Sequence, residues 1–215
     1  MTNVQPSLRD MKRLKLRGLR QLLLKGTFPA ERSSSAAELL YLVQMVQRTN
    51  ARLVAEIGFN VGYSSYAMLA ASPDLTVVSF DLGNHGSTRA AKQLIDKNFP
   101  GRHTLICGDS RETVPEYAKR HPGLRFDLVF IDGGHDYEVA KADLLNMKSL
   151  SSEHTAVVMD DVVPWLRYGK GPARAWAEAI EGGVVSQEEI FKDGRPVDLL
   201  QPPGVRAWAL GRYVG

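Results

Sequence analysis

The sequence predicts an α/β fold in which a doubly wound, mostly parallel sheet of seven strands is covered by helices on both faces. Three observations predict it: five nearly continuous apolar segments of strand length, an amphipathic helical segment after each of them, and two final strand-like segments with no full helix between them. Parallel strands have this continuous apolar character because both of their faces are buried. The last two segments are expected to form an antiparallel hairpin at the sheet edge.

The elements follow one another in a regular order. A first helix, SSSAAELLYLVQMVQRTN, is expected to begin at a serine cap within residues 33–35. The five strands are RLVAEIG, TVVSFDL, HTLICGDS, FDLVFIDG and TAVVMDDV, and the helices that follow them in turn are SSYAMLAAS, RAAKQLIDKNF, RETVPEYAKRH, YEVAKADLLNMKSL and GPARAWAEAIEG. The hairpin is expected from VVSQEEIF and VRAWALGRY, with the turn KDGR between them.

Composition favours one globular domain preceded by a basic extension. The 215 residues are 44% hydrophobic and 24% charged, which argues against disorder, and no apolar run approaches the roughly 20 residues that span a bilayer. Residues 1–26 carry a local net charge of +6, against +3 for the whole chain, with leucines at helical spacing. We therefore divide the chain into a basic helical extension, residues 1–34, and a main domain, residues 35–215.

The extension and the cysteine content suggest partners and a compartment. A basic amphipathic helix is expected to pack on the main domain or on a second subunit, so a homodimer is reasonable, and no membrane partner is expected. A nucleic-acid-binding arm is the alternative, which the absence of aromatic residues among the bases weakens. The single cysteine, Cys107, excludes an intrachain disulfide and favours a cytoplasmic location, and it is predicted to be buried within a strand.

Acidic residues end all five of the parallel strands. Ligands bind beyond the carboxyl ends of the strands in open α/β sheets, so one shared acidic edge predicts the ligand site. The residues expected there are Glu56 with Gly58, then Asp81, Asp109, Asp132, Asp160 and Asp161.

The loop after the first strand, residues 56–65, predicts close approach of a ligand that has no pyrophosphate. A phosphate-cradling G-x-x-x-x-G-K-[ST] loop is excluded because no lysine follows the glycines. In the dinucleotide pattern G-x-G-x-x-G, the first glycine is Gly58, the second position holds Asn60, and the third falls on the bulky Tyr63, next to Gly62. Asn60 tolerates a left-handed turn, and the serines at 64–65 are expected to cap the next helix.

Two further acids indicate a nucleoside. Asp81 ends the second strand about 20 residues after the loop, the separation expected for a carboxylate that binds a ribose diol. Asp109, after the third strand, is expected to accept a hydrogen bond from an adenine amine. With a charged amino-acid tail near Glu56 and Gly58, the predicted ligand is S-adenosylmethionine.

The motifs EIGFNVGYSS, CGDS, FIDGGHDY and VMDDV, together with Asp81, resemble class I S-adenosylmethionine-dependent methyltransferases over about residues 35–215. Within that Rossmann-like class they are similar to macrocin-type sugar O-methyltransferases and, more distantly, to catechol O-methyltransferase. Asn60 departs from the family, where many members have Gly. The resemblance implies a cofactor site formed by Glu56, Gly58, Phe59, Asn60, Gly62, Tyr63, Ser64, Asp81, Leu82, Asp109, Ser110 and Asp132.

The acids after the fourth and fifth strands predict a metal site. Asp132, Asp160 and Asp161 would repel one another unless they were protonated or neutralised by a cation, and Mg²⁺ or another divalent ion prefers such oxygen ligands. The resemblance implies the same three metal ligands and implies that His135 is the catalytic base. The alternatives are an Asp132 that caps a turn or binds the cofactor, one helix-capping or solvated residue in the pair Asp160 and Asp161, and a His135 that bonds a backbone carbonyl. The other histidines, His103 among them, are predicted to be surface residues.

The predicted protein is an enzyme that transfers a methyl group from S-adenosylmethionine to a hydroxyl of a small phenolic or sugar-bearing molecule, as in secondary metabolism. A metal would lower the pKa of the hydroxyl and His135 would take its proton. A metal-independent small-molecule methyltransferase and, less favoured, a nucleic-acid-directed methyltransferase remain open. Residues 163–172, rich in Gly and Pro, are expected to form a lid or an exposed loop.

Overall fold

The computed structural model describes residues 7–24 and 33–215. Within these ranges the helices are α1 (Leu8–Leu24), α2 (Ala36–Arg48), α3 (Tyr63–Ala71), α4 (Gly86–Asn98), α5 (Ser110–Arg120), α6 (Tyr137–Lys148) and α7 (Lys170–Glu181). The strands are β1 (Leu53–Ile57), β2 (Thr76–Asp81), β3 (His103–Cys107), β4 (Leu128–Ile131), β5 (Ala156–Met159), β6 (Val185–Lys192), β7 (Arg195–Pro196) and β8 (Ala207–Tyr213). The predicted boundary between extension and main domain, at residue 34, stays a prediction, and part of the extension lies outside the described residues.

The strands form one mixed sheet in the order β3-β2-β1-β4-β5-β8-β6-β7. The first five strands are parallel to one another, and β8 pairs antiparallel with both β5 and β6. The predicted Rossmann-like α/β class is therefore confirmed, with the two-residue β7 as an eighth strand. The chain adds β2 and β3 on one side of β1 and then β4 and β5 on the other side. Open sheets of this kind bind ligands at such a switch point, here between β1 and β4.

The antiparallel hairpin has a different connection from the predicted one. The turn at Asp193 and Gly194, both with positive φ (50° and 82°), joins β6 to the short β7 rather than to β8. Residues 197–206 then make an excursion before β8 returns between β5 and β6. The segment 197–206 therefore lies near the carboxyl end of β5, where it can influence the candidate site.

Helices cover both faces of the sheet, as the continuous apolar strands require. Buried residues of α2, α3 and α4 pack on one face, and those of α5, α6 and α7 pack on the other. A third, smaller cluster joins α1 to α2, to α3 and to the loop before α3, through Met11, Leu39, Val43, Val61, Tyr63 and Ala67. None of the helices in the described part of the chain combines the length and the apolar character needed to cross a membrane.

Two predictions about single residues of β3 are wrong. Cys107 is exposed rather than buried, because β3 is the edge strand of the sheet and Cys107 is its last residue. His103 is buried, with 6% of its surface exposed, and its Nε2 lies 2.9 Å from Ser79 Oγ. Burial lowers the pKa of His103 to about 4, so the ring is neutral at pH 7.

Candidate functional site

Backbone hydrogen bonds hold the ends of the central strands at one edge. Gly58 N donates to Phe80 O at 2.8 Å, Asp132 N donates to Ile57 O at 2.8 Å, and Asp160 N donates to Ile131 O at 2.9 Å. Each bond extends the parallel ladder by one residue past a strand end. Gly58, Asp132 and Asp160, which follow β1, β4 and β5, are therefore fixed at one edge by the sheet itself.

The loop after β1 passes against the loop after β4. Gly58 has φ +94°, and a Cβ at this position would lie 1.9 Å from Asp132 O, so only glycine is compatible with this contact. Asn60 (φ 45°) and Gly62 (φ 71°) also adopt left-handed conformations, as expected for a tight loop. The loop thereby carries its backbone close to Asp132.

The carboxylate of Asp81 holds this loop. Its Oδ2 accepts hydrogen bonds from the backbone N–H groups of Phe59 and Asn60, both at 2.9 Å, and its Oδ1 accepts one from Gly83 N at 2.7 Å. Phe59 is buried in the core, whereas the neighbouring Leu82 is 63% exposed. Asp81 thus fixes the shape of the loop, and its bond to a ribose stays a prediction.

Glu56 lies beneath the loop and not on its surface. It is fully buried, and its carboxylate accepts hydrogen bonds from the hydroxyl groups of Ser64, Ser65 and Ser79. Burial raises the pKa of Glu56, and the three serine hydroxyls oppose that rise. The expectation that the serines at 64–65 cap α3 is wrong, because Gly62 is the N-cap residue and both serines lie inside the helix, facing Glu56.

Asp109 is the N-cap residue of α5 and accepts a hydrogen bond from Arg111 N at 2.9 Å. The guanidinium of Arg111 also pairs with it, with 2.5 Å between Nη2 and Oδ2. The hydrogen bond from the Arg111 side chain lowers the pKa of Asp109. Asp109 and Ser110 therefore begin the helix that lies next to the predicted adenine position, and their contact with adenine stays a prediction.

The acids after β4 and β5 converge. Two groups of side chains each bring together three potential ligand atoms that lie within 4.8 Å of one another. The first group is Asp132, His135 and Asp161, and the second is Glu38, Asp132 and Asp160. Asp132 belongs to both groups, so the two groups are adjacent. The three carboxylates predicted as metal ligands thus lie around one small region, together with a fourth, Glu38, that was not predicted.

The electrostatics of this cluster are unfavourable without a counter-ion. Burial raises the pKa of Asp132 and of Asp160 well above the usual range, and for each the next cause is the charge of Glu38. Arg206 partly offsets this, with its Nη1 3.3 Å from Glu38 Oε2. Among the described residues, Lys15 also interacts with Glu38, so two cations face four carboxylates, and the oxygen donor set with its net negative charge fits a hard divalent cation.

His135 is oriented by a carboxylate of the same cluster. Its Nε2 lies 2.8 Å from Asp161 Oδ2, and 45% of the His135 side chain is exposed. Asp161 has φ 56°, a left-handed conformation that is uncommon for residues other than glycine and that directs its side chain to the end of β4. A histidine with a carboxylate partner and access to solvent has the arrangement of a general base.

A depression open to solvent is lined by Asp132, His135, Asp160 and Asp161, and by residues at the ends of β4 and β5 and on α6 and α7. Two aromatic residues of the segment 163–172 anchor it beside this depression. Trp165 Nε1 donates to Gly204 O at 2.8 Å, and the Tyr168 hydroxyl donates to Val205 O. The segment is therefore hydrogen-bonded to the 197–206 excursion.

The fold is that of class I S-adenosylmethionine-dependent methyltransferases. Comparison with known proteins identifies the family: residues 55–162, half of the chain, match the family described as a methyltransferase domain. The chain belongs to this family. The resemblance predicted from the motifs between residues 56 and 162 is thereby confirmed.

A curated relative and several solved structures are similar over longer spans. Catechol O-methyltransferase from Sus scrofa is 26% identical over 121 residues, which are 55% of this chain and 64% of that enzyme, so the chain matches less than two thirds of its relative's length. The O-methyltransferase TomG from Streptomyces achromogenes, solved with S-adenosylmethionine, has a TM-score of 0.73 at 19% identity, covering 94% of this chain and 90% of TomG. An O-methyltransferase from Bacillus cereus, solved with S-adenosylhomocysteine, has a TM-score of 0.71 at 17% identity and covers 98% and 93% of the two chains.

Glu38 is the site residue that sequence reasoning missed. It is the third residue of α2 and completes a capping box with Ser35: Glu38 N donates to Ser35 Oγ at 3.1 Å, and Ser35 N donates to Glu38 Oε2 at 3.2 Å. The sequence signal S-x-x-E predicts such a box but does not indicate which way the carboxylate faces. Its position beside β4 and β5 depends on how α2 packs on the sheet.

Proposed function

We propose that this protein is an O-methyltransferase that transfers a methyl group from S-adenosylmethionine to a hydroxyl of a small molecule, with a divalent cation and His135 activating that hydroxyl. The observation that carries the proposal is the convergence of Asp132, Asp160 and Asp161 with His135 at the ends of β4 and β5. The family and the S-adenosylmethionine- and S-adenosylhomocysteine-bound relatives support the cofactor.

The loop of residues 58–63 is proposed to bind the amino-acid part of the cofactor. Its left-handed residues let the backbone turn tightly, and Asp81 and the buried Glu56 fix its shape from two sides. Leu82 and the start of α5, at Asp109 and Ser110, are proposed to contact the ribose and adenine. S-adenosylmethionine supplies a sulfonium methyl group that needs no further activation.

The acidic residues and His135 are proposed to act on the acceptor. Asp132, Asp160 and Asp161 would hold Mg²⁺ or another divalent ion, which lowers the pKa of a hydroxyl bound to it. Asp161 holds the imidazole by its Nε2, and His135 accepts the hydroxyl proton at its other nitrogen. A phenol with a pKa of about 10 is ionised in only about one molecule in a thousand at pH 7, so removal of this proton limits the reaction.

The acceptor is proposed to be phenolic or sugar-bearing, as in secondary metabolism. Catechol O-methyltransferase, the curated relative, is named for a phenolic acceptor, and one of the similar structures is a TDP-rhamnose 3'-O-methyltransferase of calicheamicin biosynthesis (TM-score 0.65, 21% identity, 97% and 96% of the two chains). In this chain Tyr168 lies beside His135, with 5.9 Å between ring centroids, which favours an aromatic acceptor. A cytoplasmic location, a homodimer and the absence of nucleic acid and membrane partners stay predictions.

Methyl transfer from radiolabelled S-adenosylmethionine to a panel of catechols and glycosides tests the proposal. We expect activity with Mg²⁺, its loss after chelation, and a decrease of roughly 10²- to 10⁴-fold in kcat for His135→Ala, with the acid limb of the pH profile removed. His154→Ala, which changes a histidine whose side chain is 87% exposed, is the matched control and should leave kcat unchanged.

Two outcomes would contradict parts of the proposal. Full activity in chelator, with Asp160→Asn and Asp161→Asn both active, would remove the metal and leave a metal-independent methyltransferase. A pH profile of His135→Ala identical in shape to that of the unchanged protein would remove the histidine base.

A further inference from the structure

We propose that Glu38 of α2 is an additional carboxylate ligand of the cation site, so that the site is formed by α2 as well as by the ends of β4 and β5. This inference rests on the proposed cation dependence. The residues that carry it are Glu38, Asp132 and Asp160, each of which has a carboxylate oxygen within 4.8 Å of the other two.

The two oxygen atoms of Glu38 have different surroundings. Oε2 is engaged by Ser35 N at 3.2 Å and by Arg206 Nη1 at 3.3 Å. Oε1 is buried and has no hydrogen-bond partner among the described residues, and the whole side chain is fully buried. A buried, unpaired carboxylate oxygen is costly, and it is retained where it binds a cation or another partner.

The direction of the Glu38 side chain is fixed by neighbours and does not depend on the cation. The capping box holds the side chain at the start of α2. Arg206, the residue before β8, binds it from the other side and also donates to Ser33 O at 3.0 Å. These bonds hold Oε2 and leave Oε1 as the oxygen that remains for a ligand. The side chain is therefore pre-organised toward Asp132 and Asp160.

Charge also favours this assignment. Glu38, Asp132, Asp160 and Asp161 are four carboxylates, and among the described residues Arg206 and the Lys15 ammonium offset part of their charge. A divalent cation bound among them would leave a small residual charge that His135 and the solvent can accommodate. A protonated Glu38 that shares its proton with Asp160 is the competing explanation for the same geometry.

Glu38→Gln tests the proposal with little change in structure, because glutamine also satisfies the third position of a capping box and accepts a hydrogen bond from Arg206. We expect Mn²⁺ affinity, measured by titration calorimetry and by electron paramagnetic resonance of bound Mn²⁺, to fall by roughly 10- to 100-fold. In chelator, the variant should melt at the same temperature as the unchanged protein or higher, because one of four like charges has been removed. A structural role alone predicts a lower melting temperature with and without metal.

Glu189→Gln is the matched control. Glu189 pairs with Arg48 at 2.7 Å and accepts from the Tyr41 hydroxyl at 3.0 Å, so it also joins α2 to the C-terminal strands but belongs to neither group of candidate metal ligands. We expect its Mn²⁺ affinity to be unchanged. Unchanged Mn²⁺ affinity in Glu38→Gln, with loss of binding in Asp160→Asn, would overturn this inference and leave the proposed function standing. Absence of Mn²⁺ binding by the unchanged protein would overturn both.

Discussion

Asp143 is a buried acid that the proposed chemistry does not use. It lies on α6 beneath the loop after β4, where a Cβ at Gly133 would be 2.9 Å from its Oδ2. Its surface is fully buried, and neither carboxylate oxygen has a hydrogen-bond partner within the described residues. Burial raises the pKa of Asp143 to about 6. A charged Asp143 at neutral pH therefore opposes folding.

The sign of this effect gives a prediction for Asp143→Asn. The folded-state pKa is above the ordinary value of 3.8, so the stability of the unchanged protein falls as pH rises from about 4 to about 6, and the full cost is present above that window. We expect the free energy of unfolding of the variant to exceed that of the unchanged protein by about 1–3 kcal/mol at pH 7.5, and to differ little from it at pH 4. Urea unfolding at both pH values measures this, with the exposed Asp74→Asn as control. A variant less stable than the unchanged protein at pH 7.5 would contradict it.

Single residues also mark the limit of what the sequence predicts. The positive φ of Asn60 and the strand-end positions of Asp132 and Asp160 follow from local patterns, and all three are found. The burial of His103 and the approach of Glu38 depend on tertiary packing, because a strand-start histidine and a capping glutamate look like surface residues in isolation. Periodicity indicates which residues share a face but not what the face packs against.

At the scale of elements, α7 begins against the loop that carries His135. A Cβ at Gly171 would lie 2.2 Å from His135 O and 2.7 Å from Tyr137 N, so the helix and the loop approach as closely as backbone allows. The same helix packs on α6 through buried residues of the core. The start of α7 is therefore expected to set the position of the imidazole.

Gly171→Ala should therefore impair catalysis more than cofactor binding. The added methyl group must displace the His135 loop, and a displacement of about 1 Å costs on the order of 100-fold in rate, whereas the loop of residues 58–63 is not touched. Steady-state kcat and the Kd of S-adenosylhomocysteine measure the two effects. Gly182→Ala, at the other end of α7 with its nearest contact at 3.1 Å, is the control. An equal loss in kcat and in S-adenosylhomocysteine affinity would show that α7 does not act through His135.

Elements were predicted better than their connections. The order of strands and helices from residue 53 to residue 181 follows from apolar runs and amphipathic periods, which a parallel sheet imposes directly. The β6–β7 turn and the excursion of residues 197–206 were not predicted, because a two-residue strand has no periodicity. Trp165 and Tyr168 donate hydrogen bonds to that excursion, so this side of the proposed acceptor site is the part least readable from sequence.

At the scale of the whole molecule, the acidic side chains gathered where α2, β4 and β5 meet lower the stability of the folded state. The sheet brings Asp132, Asp160 and Asp161 together and α2 adds Glu38, so every element that forms the site also contributes a negative charge. Burial raises the pKa values of Glu38, Asp132 and Asp160, which means that the fold bears an electrostatic cost in the absence of a cation. Binding of a divalent ion and folding are then coupled.

This coupling predicts that Mg²⁺ or Mn²⁺ raises the melting temperature. A cation at 100 times its Kd stabilises the folded state by about 2.7 kcal/mol, which for a chain of this size corresponds to roughly 5–10 °C. The shift should be larger at pH 7.5 than at pH 5.5, because protons compete with the cation for the same carboxylates. Calorimetry in chelator, in Mg²⁺ and in NaCl of equal ionic strength measures it. An equal shift in NaCl, or an undiminished shift in Asp160→Asn, would mean that the acids bind no specific ion and that screening alone relieves their repulsion.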